Sequence, residues 1–247
     1  MMTTNNTDFP QMVLVTGAAH RIGRIIALTL ARAGFAIGLH HHTSIDAAKQ
    51  TAIEIEEIGM PAILLQADLR DPNQIDQLFQ DLSRSSYPLT GLVNSAAIMP
   101  VSRLDEMSVE LWNEIFSLNL RAAWLCSQKA AHLIQPRNGW IINITDAGTS
   151  KTWKEYAAYN LSKAALQTLT RLLARTYAPQ IRVNAVAPGL ILPPPDMSAE
   201  DWQNLVRRLP LSKSGEPEDI AQSVLFLASN STITGQIIAI DAGYQLL

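Results

Sequence analysis

The stretch Met12-Val13-Leu14-Val15-Thr16-Gly17-Ala18-Ala19-His20-Arg21-Ile22-Gly23 decides how the rest of this 247-residue chain is read. Four apolar residues run straight into a turn carrying glycines at 17 and 23, and a helical period follows over Arg21–Ala33. A strand, a turn and a helix in that order aim free backbone N–H groups and the positive helix end at one point, which suits a pyrophosphate. Gly17 permits the tight turn, and Gly23 lets the helix approach the sheet closely. Arg21 stands where such turns usually carry a middle glycine, so a permanently charged fork of donors faces the expected phosphates. An ordinary strand-to-helix turn with a surface arginine is the plainer alternative, and the motif alone does not choose between them.

Working outward, strand-like runs lie at Met12–Thr16, Phe35–His41, Ala62–Gln66, Gly91–Asn94, Trp140–Thr145, Arg182–Ala187 and Gln236–Asp241. Amphipathic segments alternate with them at Arg21–Ala33, Ser44–Ile58, Asn73–Arg84, Val109–Leu133, Tyr156–Tyr177 and Pro217–Ala228. The alternation predicts an α/β chain: one doubly wound domain over 1–247, with a seven-stranded parallel sheet and helices on both faces. Residues 1–10 are expected as a flexible tail. Three prolines, Pro193 to Pro195, cannot continue a helix or a central strand. They place a loop over the carboxyl ends of the strands, and with the helical segment Ala199–Arg208 it is expected to form a substrate lid over 190–209.

Composition narrows the partners. Nineteen Lys and Arg against 22 Asp and Glu give a net charge of −3, with no broad cationic field for nucleic acid or an anionic membrane. The single cysteine, Cys126, forms no internal disulfide or cysteine zinc cluster, which points to a reducing, cytoplasmic compartment. The first ten residues lack a basic segment followed by an apolar run, and no stretch approaches the ~18 apolar residues of a membrane span. The expectation is a soluble protein.

After the second strand, dinucleotide folds preferring NAD place an acid that holds the ribose 2′-hydroxyl. Here the sequence reads His40-His41-His42-Thr43-Ser44, with no carboxylate before Asp46. NADP is therefore favoured. Strand alternation puts His40 and His42 on one face, and Ser44 either caps the next helix or donates to the 2′-phosphate. A histidine metal site is the rival reading, but it lacks a further ligand in a suitable pairing.

Tyr159 and Lys163 stand one helical turn apart in Tyr159-Asn160-Leu161-Ser162-Lys163. An ammonium beside a phenol favours phenolate, and the pairing is expected to lower the tyrosine pKa toward neutrality. Thirteen residues before Tyr159, Asp146 ends a strand, where a carboxylate facing the pair is placed for proton transfer. An exposed loop aspartate or a helix cap is its bland alternative. Asn119 interrupts an apolar helix and is either a satisfied core amide or the holder of a water beside Lys163.

Together these motifs resemble the short-chain dehydrogenase/reductase superfamily from end to end. The resemblance rests on the Gly17-to-Gly23 turn, Asp68, Asn94-Ser95-Ala96-Ala97, Asn119, Tyr159/Lys163, Pro188-Gly189, Thr234-Gly235 and Asp241-Ala242-Gly243. Within it, Arg21, the histidine-bearing end of the second strand, and Asp146 in place of the usual catalytic serine are similar to pteridine reductases and bacterial dihydromonapterin reductases. That likeness implies NADP(H) held by Gly17, Arg21, Ile22, Gly23, His40, His42, Ser44, Asp68, Leu69, Asn94, Ala96, Tyr159, Lys163, Pro188 and Gly189. It implies a pterin held by Arg21, Met99, Asp146, Trp153, Tyr159 and Leu190, with Asp146, Tyr159, Lys163 and Asn119 as the catalytic set. No metal is expected.

Three functions follow as alternatives. The first is NADPH-dependent reduction of a dihydropterin, because a carboxylate suits a ring with N–H donors and can pass a proton to a ring nitrogen. The second is reduction of another carbonyl or imine, weakened at Asp146 because an anion is a poor partner for a developing alkoxide. The third is an NADP-sensing protein without turnover, opposed by the intact Tyr159 and Lys163. The long apolar helices carry more hydrophobic surface than one sheet needs, and the superfamily likeness suggests a homotetramer.

Overall fold

A computed structural model describes residues 10–134, 138–194 and 197–247. The strands are β1 (Met12–Val15), β2 (Ala36–His41), β3 (Ala62–Gln66), β4 (Leu89–Asn94), β5 (Gly139–Ile144), β6 (Ile181–Pro188) and β7 (Ile237–Ile240). They form one parallel sheet in the order β3-β2-β1-β4-β5-β6-β7, the single-domain doubly wound arrangement expected. The order reverses between β1 and β4, so the loops at their carboxyl ends diverge and open a cleft there.

Alternation along β1 shows how the sheet earns two cores. Val13 and Val15 face a cluster with Ile26 and Leu30 of α1 (Arg21–Arg32), Ile55 of α2 (Ile45–Glu57) and Val224 of α8 (Pro217–Ser229). Met12 and Leu14 face the opposite cluster, with Leu78 of α3 (Pro72–Ser83), Cys126 of α5 (Ala123–Ile134) and Leu173 of α6 (Ala157–Tyr177). The remaining helices are α4 (Val109–Phe116) and α7 (Ala199–Val206). Ser198 caps α7 by accepting from the Asp201 N–H at 3.1 Å.

One expected element is different. The continuous helix over Val109–Leu133 is broken by a π-helical turn at Ser117–Ala122. Asn119 lies in it, and its amide is pulled toward the loop after β4: Oδ1 accepts from the Ile98 N–H at 2.9 Å and Nδ2 donates to the Ile98 carbonyl at 2.9 Å. Such π-helical turns are rare, occur mostly as single turns inside α-helices, and are frequent at functional sites. Residues 1–9 of the expected tail, and Pro195 of the proline run, lie outside the described residues.

Candidate active site

The cleft has a volume of about 560 Å³. Its phosphate-facing wall is built from the first turn. Gly17 has φ +67°, and a Cβ there would sit 3.0 Å from the Ala96 Cα, so the turn passes the β4 loop without room for a side chain. A Cβ on Gly23 would overlap the Gly17 carbonyl oxygen, which fixes how closely α1 meets the turn. Arg21 itself adopts φ +50°, a left-handed conformation costly for a residue with a Cβ. Its Nη2 reaches across the mouth to the Pro193 carbonyl at 3.4 Å.

Gly17, Arg21, Ile22, Gly23, His40, His42, Ser44, Asp68, Leu69, Ala96, Met99, Tyr159, Lys163 and Pro188 line this cleft. Asn94 does not, and the reason is chemical. Its amide donates to Asn143 Oδ1 at 2.8 Å and Ser127 Oγ at 3.1 Å, while Asn143 donates to Thr170 Oγ1 at 2.9 Å. This buried amide network ties β4, β5, α5 and α6 together and commits the Asn94 Nδ2 to the interior. Gly189 and Leu190 do not line the cleft either; the Gly189 N–H donates to the Ile240 carbonyl, and the Leu190 carbonyl accepts from the Gly215 N–H.

His40 corrects the expectation of a phosphate-binding imidazole. Its Nδ1 accepts from the Gly17 N–H at 3.0 Å and its Nε2 donates to the Ala67 carbonyl at 3.1 Å. Burial pushes its pKa down to about 4, so it is a neutral strut that sets the tight turn. His42 and Ser44 line that end of the cleft together with Asp68 and Arg70, and Ser44 makes no capping bond. His42 Nε2 lies 3.8 Å from Asp68 Oδ2, and Asp68 is bound by Arg70, whose hydrogen bonds hold that carboxyl below its usual range. Among the described residues no cluster of three or more metal-ligating side chains occurs.

At the other end, α6 brings Tyr159 and Lys163 to one stripe, with the Lys163 Nζ 5.8 Å from the centre of the Tyr159 ring. Lys163 Nζ donates to the Ile144 carbonyl at 2.7 Å, and burial lowers its pKa to about 8. The Tyr159 hydroxyl donates to Asp146 Oδ2 at 2.9 Å, and Asp146 Oδ1 accepts from the Gly148 N–H at 2.6 Å. Here the structure reverses the expected direction for tyrosine. Burial and the neighbouring carboxylate hold the Tyr159 pKa well above the ordinary value, so the phenol keeps its proton. Burial raises Asp146 as well.

The remaining expected residues are placed differently. Asn119 is spent on Ile98 and on Ser162 Oγ at 3.1 Å, so its side chain holds α6 rather than a partner beside Lys163. Trp153 anchors a loop: its Nε1 donates to the Tyr244 hydroxyl at 2.9 Å, and its ring covers Gly148. Sequence reasoning missed Asn143, Ser127, Thr170 and Ser162 because each acts through partners far along the chain.

Comparison with known proteins agrees with this architecture. A family model described as enoyl-(acyl carrier protein) reductase matches residues 17–245. The 3-oxoacyl-(acyl-carrier-protein) reductase FabG of Staphylococcus aureus (strain Mu50 / ATCC 700699) is 34% identical over 241 residues, covering 94% of this chain and 97% of that protein. The crystal structure of FolM Alternative dihydrofolate reductase 1 from Brucella canis, complexed with NADP, matches with TM-score 0.91 and 34% identity over 96% of this chain and 94% of that one. The angucycline C-6 ketoreductase LanV with bound NADP matches with TM-score 0.89 and 32% identity over 96% of each chain. The chain belongs to the short-chain dehydrogenase/reductase superfamily.

Proposed function

We propose that this protein reduces the C=N bond of a dihydropterin to give a tetrahydropterin, with dihydrofolate as a further candidate substrate. The cofactor is NADP(H), and the cleft fits it. The Cβ-free approach at Gly17 and Gly23 would admit the pyrophosphate, with Arg21 beside it; His42 and Ser44 would hold the 2′-phosphate, and Lys163 the nicotinamide ribose. When bound, NADPH supplies the hydride to the substrate carbon.

The 2.9 Å hydrogen bond from Tyr159 to Asp146 carries the reading. A carboxylate accepts from the N–H edge of a pterin, orients the ring, and keeps the Tyr159 proton in place until a ring nitrogen develops basicity. The proton then passes to that nitrogen from the Tyr159 hydroxyl or from a water held by Asp146. Lys163 sets the local field and offsets the anion that remains. Arg21 and Met99, both on the cleft wall, would bracket the ring.

The likeness to FabG and LanV favours a second reading, reduction of a ketone. Asp146 argues against it, because its charge opposes a developing alkoxide. NADPH oxidation measured with dihydrobiopterin, dihydrofolate and a panel of ketones and acyl-thioester ketones separates the readings. Turnover of the pterins supports ours, turnover of ketones alone overturns it, and no turnover on any substrate favours a sensor.

We further propose a homo-oligomer, a tetramer in keeping with the superfamily, formed through α5 and α6. Trp124, Leu161 and Leu172 are 44%, 45% and 59% exposed on those helices, an apolar surface a monomer would leave in water. No helix among the described residues is long and apolar enough to cross a membrane.

A further inference from the structure

Asp146 works only if the short loop it begins is held still, and that loop is tied down by amide side chains from outside it. Gln167 Nε2 donates to the Asp146 carbonyl at 3.0 Å. Gln245 Nε2, from the C-terminal turn, donates to the Ala147 carbonyl at 3.1 Å. Asn160 Nδ2 donates to the carbonyls of Gly148 at 2.8 Å and Lys151 at 3.0 Å. Gln167 is also the next member of the stripe: Tyr159, Lys163 and Gln167 follow at four-residue intervals on α6. One helix face therefore holds the carboxylate of Asp146 through Tyr159, the end of β5 through Lys163, and the backbone of Asp146 through Gln167.

We infer that Gln167 is a positioning residue that sets the register of Asp146 against Tyr159, with Gln245 clamping the same loop from the C-terminal turn. The inference rests on Asp146 and Tyr159 being the proton pair and extends that reading to residues that touch no ligand. Asp146 spends Oδ1 on the Gly148 N–H, so its Oδ2 points at Tyr159 only while its own backbone stays fixed. Without the Gln167 donor the Asp146 carbonyl loses its side-chain partner and the loop rotates to satisfy it. A misplacement of this kind lowers the rate of a proton transfer without weakening cofactor binding.

The test uses the full chain with Gln167→Met, which keeps length and removes the donor, and Gln245→Met at an exposed position that leaves the core untouched. Hydrogen exchange over 146–151 is read without any substrate, and steady-state kinetics use NADPH with whichever substrate the wild type reduces. We expect faster exchange at the Gly148 amide, kcat down by about tenfold, and KM for NADPH unchanged. The alkaline limb of kcat/KM moves to lower pH, because Asp146 supports the charge of Lys163. Asp146→Asn should move that limb in the same direction. Unaltered Gly148 exchange in both variants, or an unaltered kcat and limb, overturns the inference. A wild type that reduces ketones but no pterin would defeat the substrate reading alone, since these measurements then proceed with the ketone.

Discussion

The Tyr159 hydroxyl donates to Asp146 Oδ2 at 2.9 Å, and this bond inverts the usual expectation for a tyrosine beside a lysine. Burial and the carboxylate keep the phenol protonated, while burial makes Lys163 the easier group to neutralise, at about pH 8. The kcat/KM profile, which reports the free enzyme, should therefore fall as pH rises through about 8, with no separate tyrosine limb near 10. A pH-rate study of wild type and Asp146→Asn checks this. Removing the carboxylate withdraws its support of the ammonium and shifts the limb downward.

Arg21 holds a left-handed backbone conformation at φ +50° that glycine adopts freely. Arg21→Gly should raise stability by about 1 kcal/mol, from relief of the Cβ strain. The same change removes the cationic fork at the phosphate turn and should weaken NADPH binding by about tenfold or more. Thermal melting and a fluorescence titration with NADPH read the two effects, whose opposite signs distinguish a ligand contact from a folding defect.

His40 makes stability depend on pH in a defined window. Its folded pKa of about 4 lies below the ordinary 6.5, so the unfolded chain binds more protons between these values. The stabilisation is fully present above pH 6.5 and is lost as pH falls through 4, which amounts to about 3 kcal/mol at pH 4. His40→Gln should begin less stable at pH 7 and lose that much less on acidification, as followed by denaturant unfolding at several pH values.

The apolar surface on α5 and α6 gives a further outcome. Light scattering should return a multiple of the 27.1 kDa chain mass, and Leu172→Glu, which puts a charge on an exposed apolar position, should lower it. A monomeric wild type would contradict the proposed assembly.

The sequence made the order of elements legible because hydrophobic period is a local property. All seven strands fall within a residue or two of their expected spans, and the turn at Gly17, Arg21 and Gly23 is where its spacing put it. What stayed hidden was pairing at a distance. The π-helical turn at Asn119 follows from a bond to Ile98, and His40 became a strut because Gly17 and Ala67 both reach its ring. The grip of Asn143 and Ser127 on the Asn94 amide was hidden in the same way. Gln167 carried no signal beyond its four-residue spacing from Lys163, which acquires meaning only once the loop it grips is known.

Replacing Asp146 with serine tests the central claim most directly, because serine donates to a carbonyl oxygen and lacks the charge that suits a pterin edge. With NADPH saturating, Asp146→Ser should lose at least about a hundredfold in dihydropterin turnover, a loss of about 2.7 kcal/mol in transition-state stabilisation. Ketone turnover should stay level or rise in the same variant. A dihydropterin rate equal to that of the wild type would contradict the account.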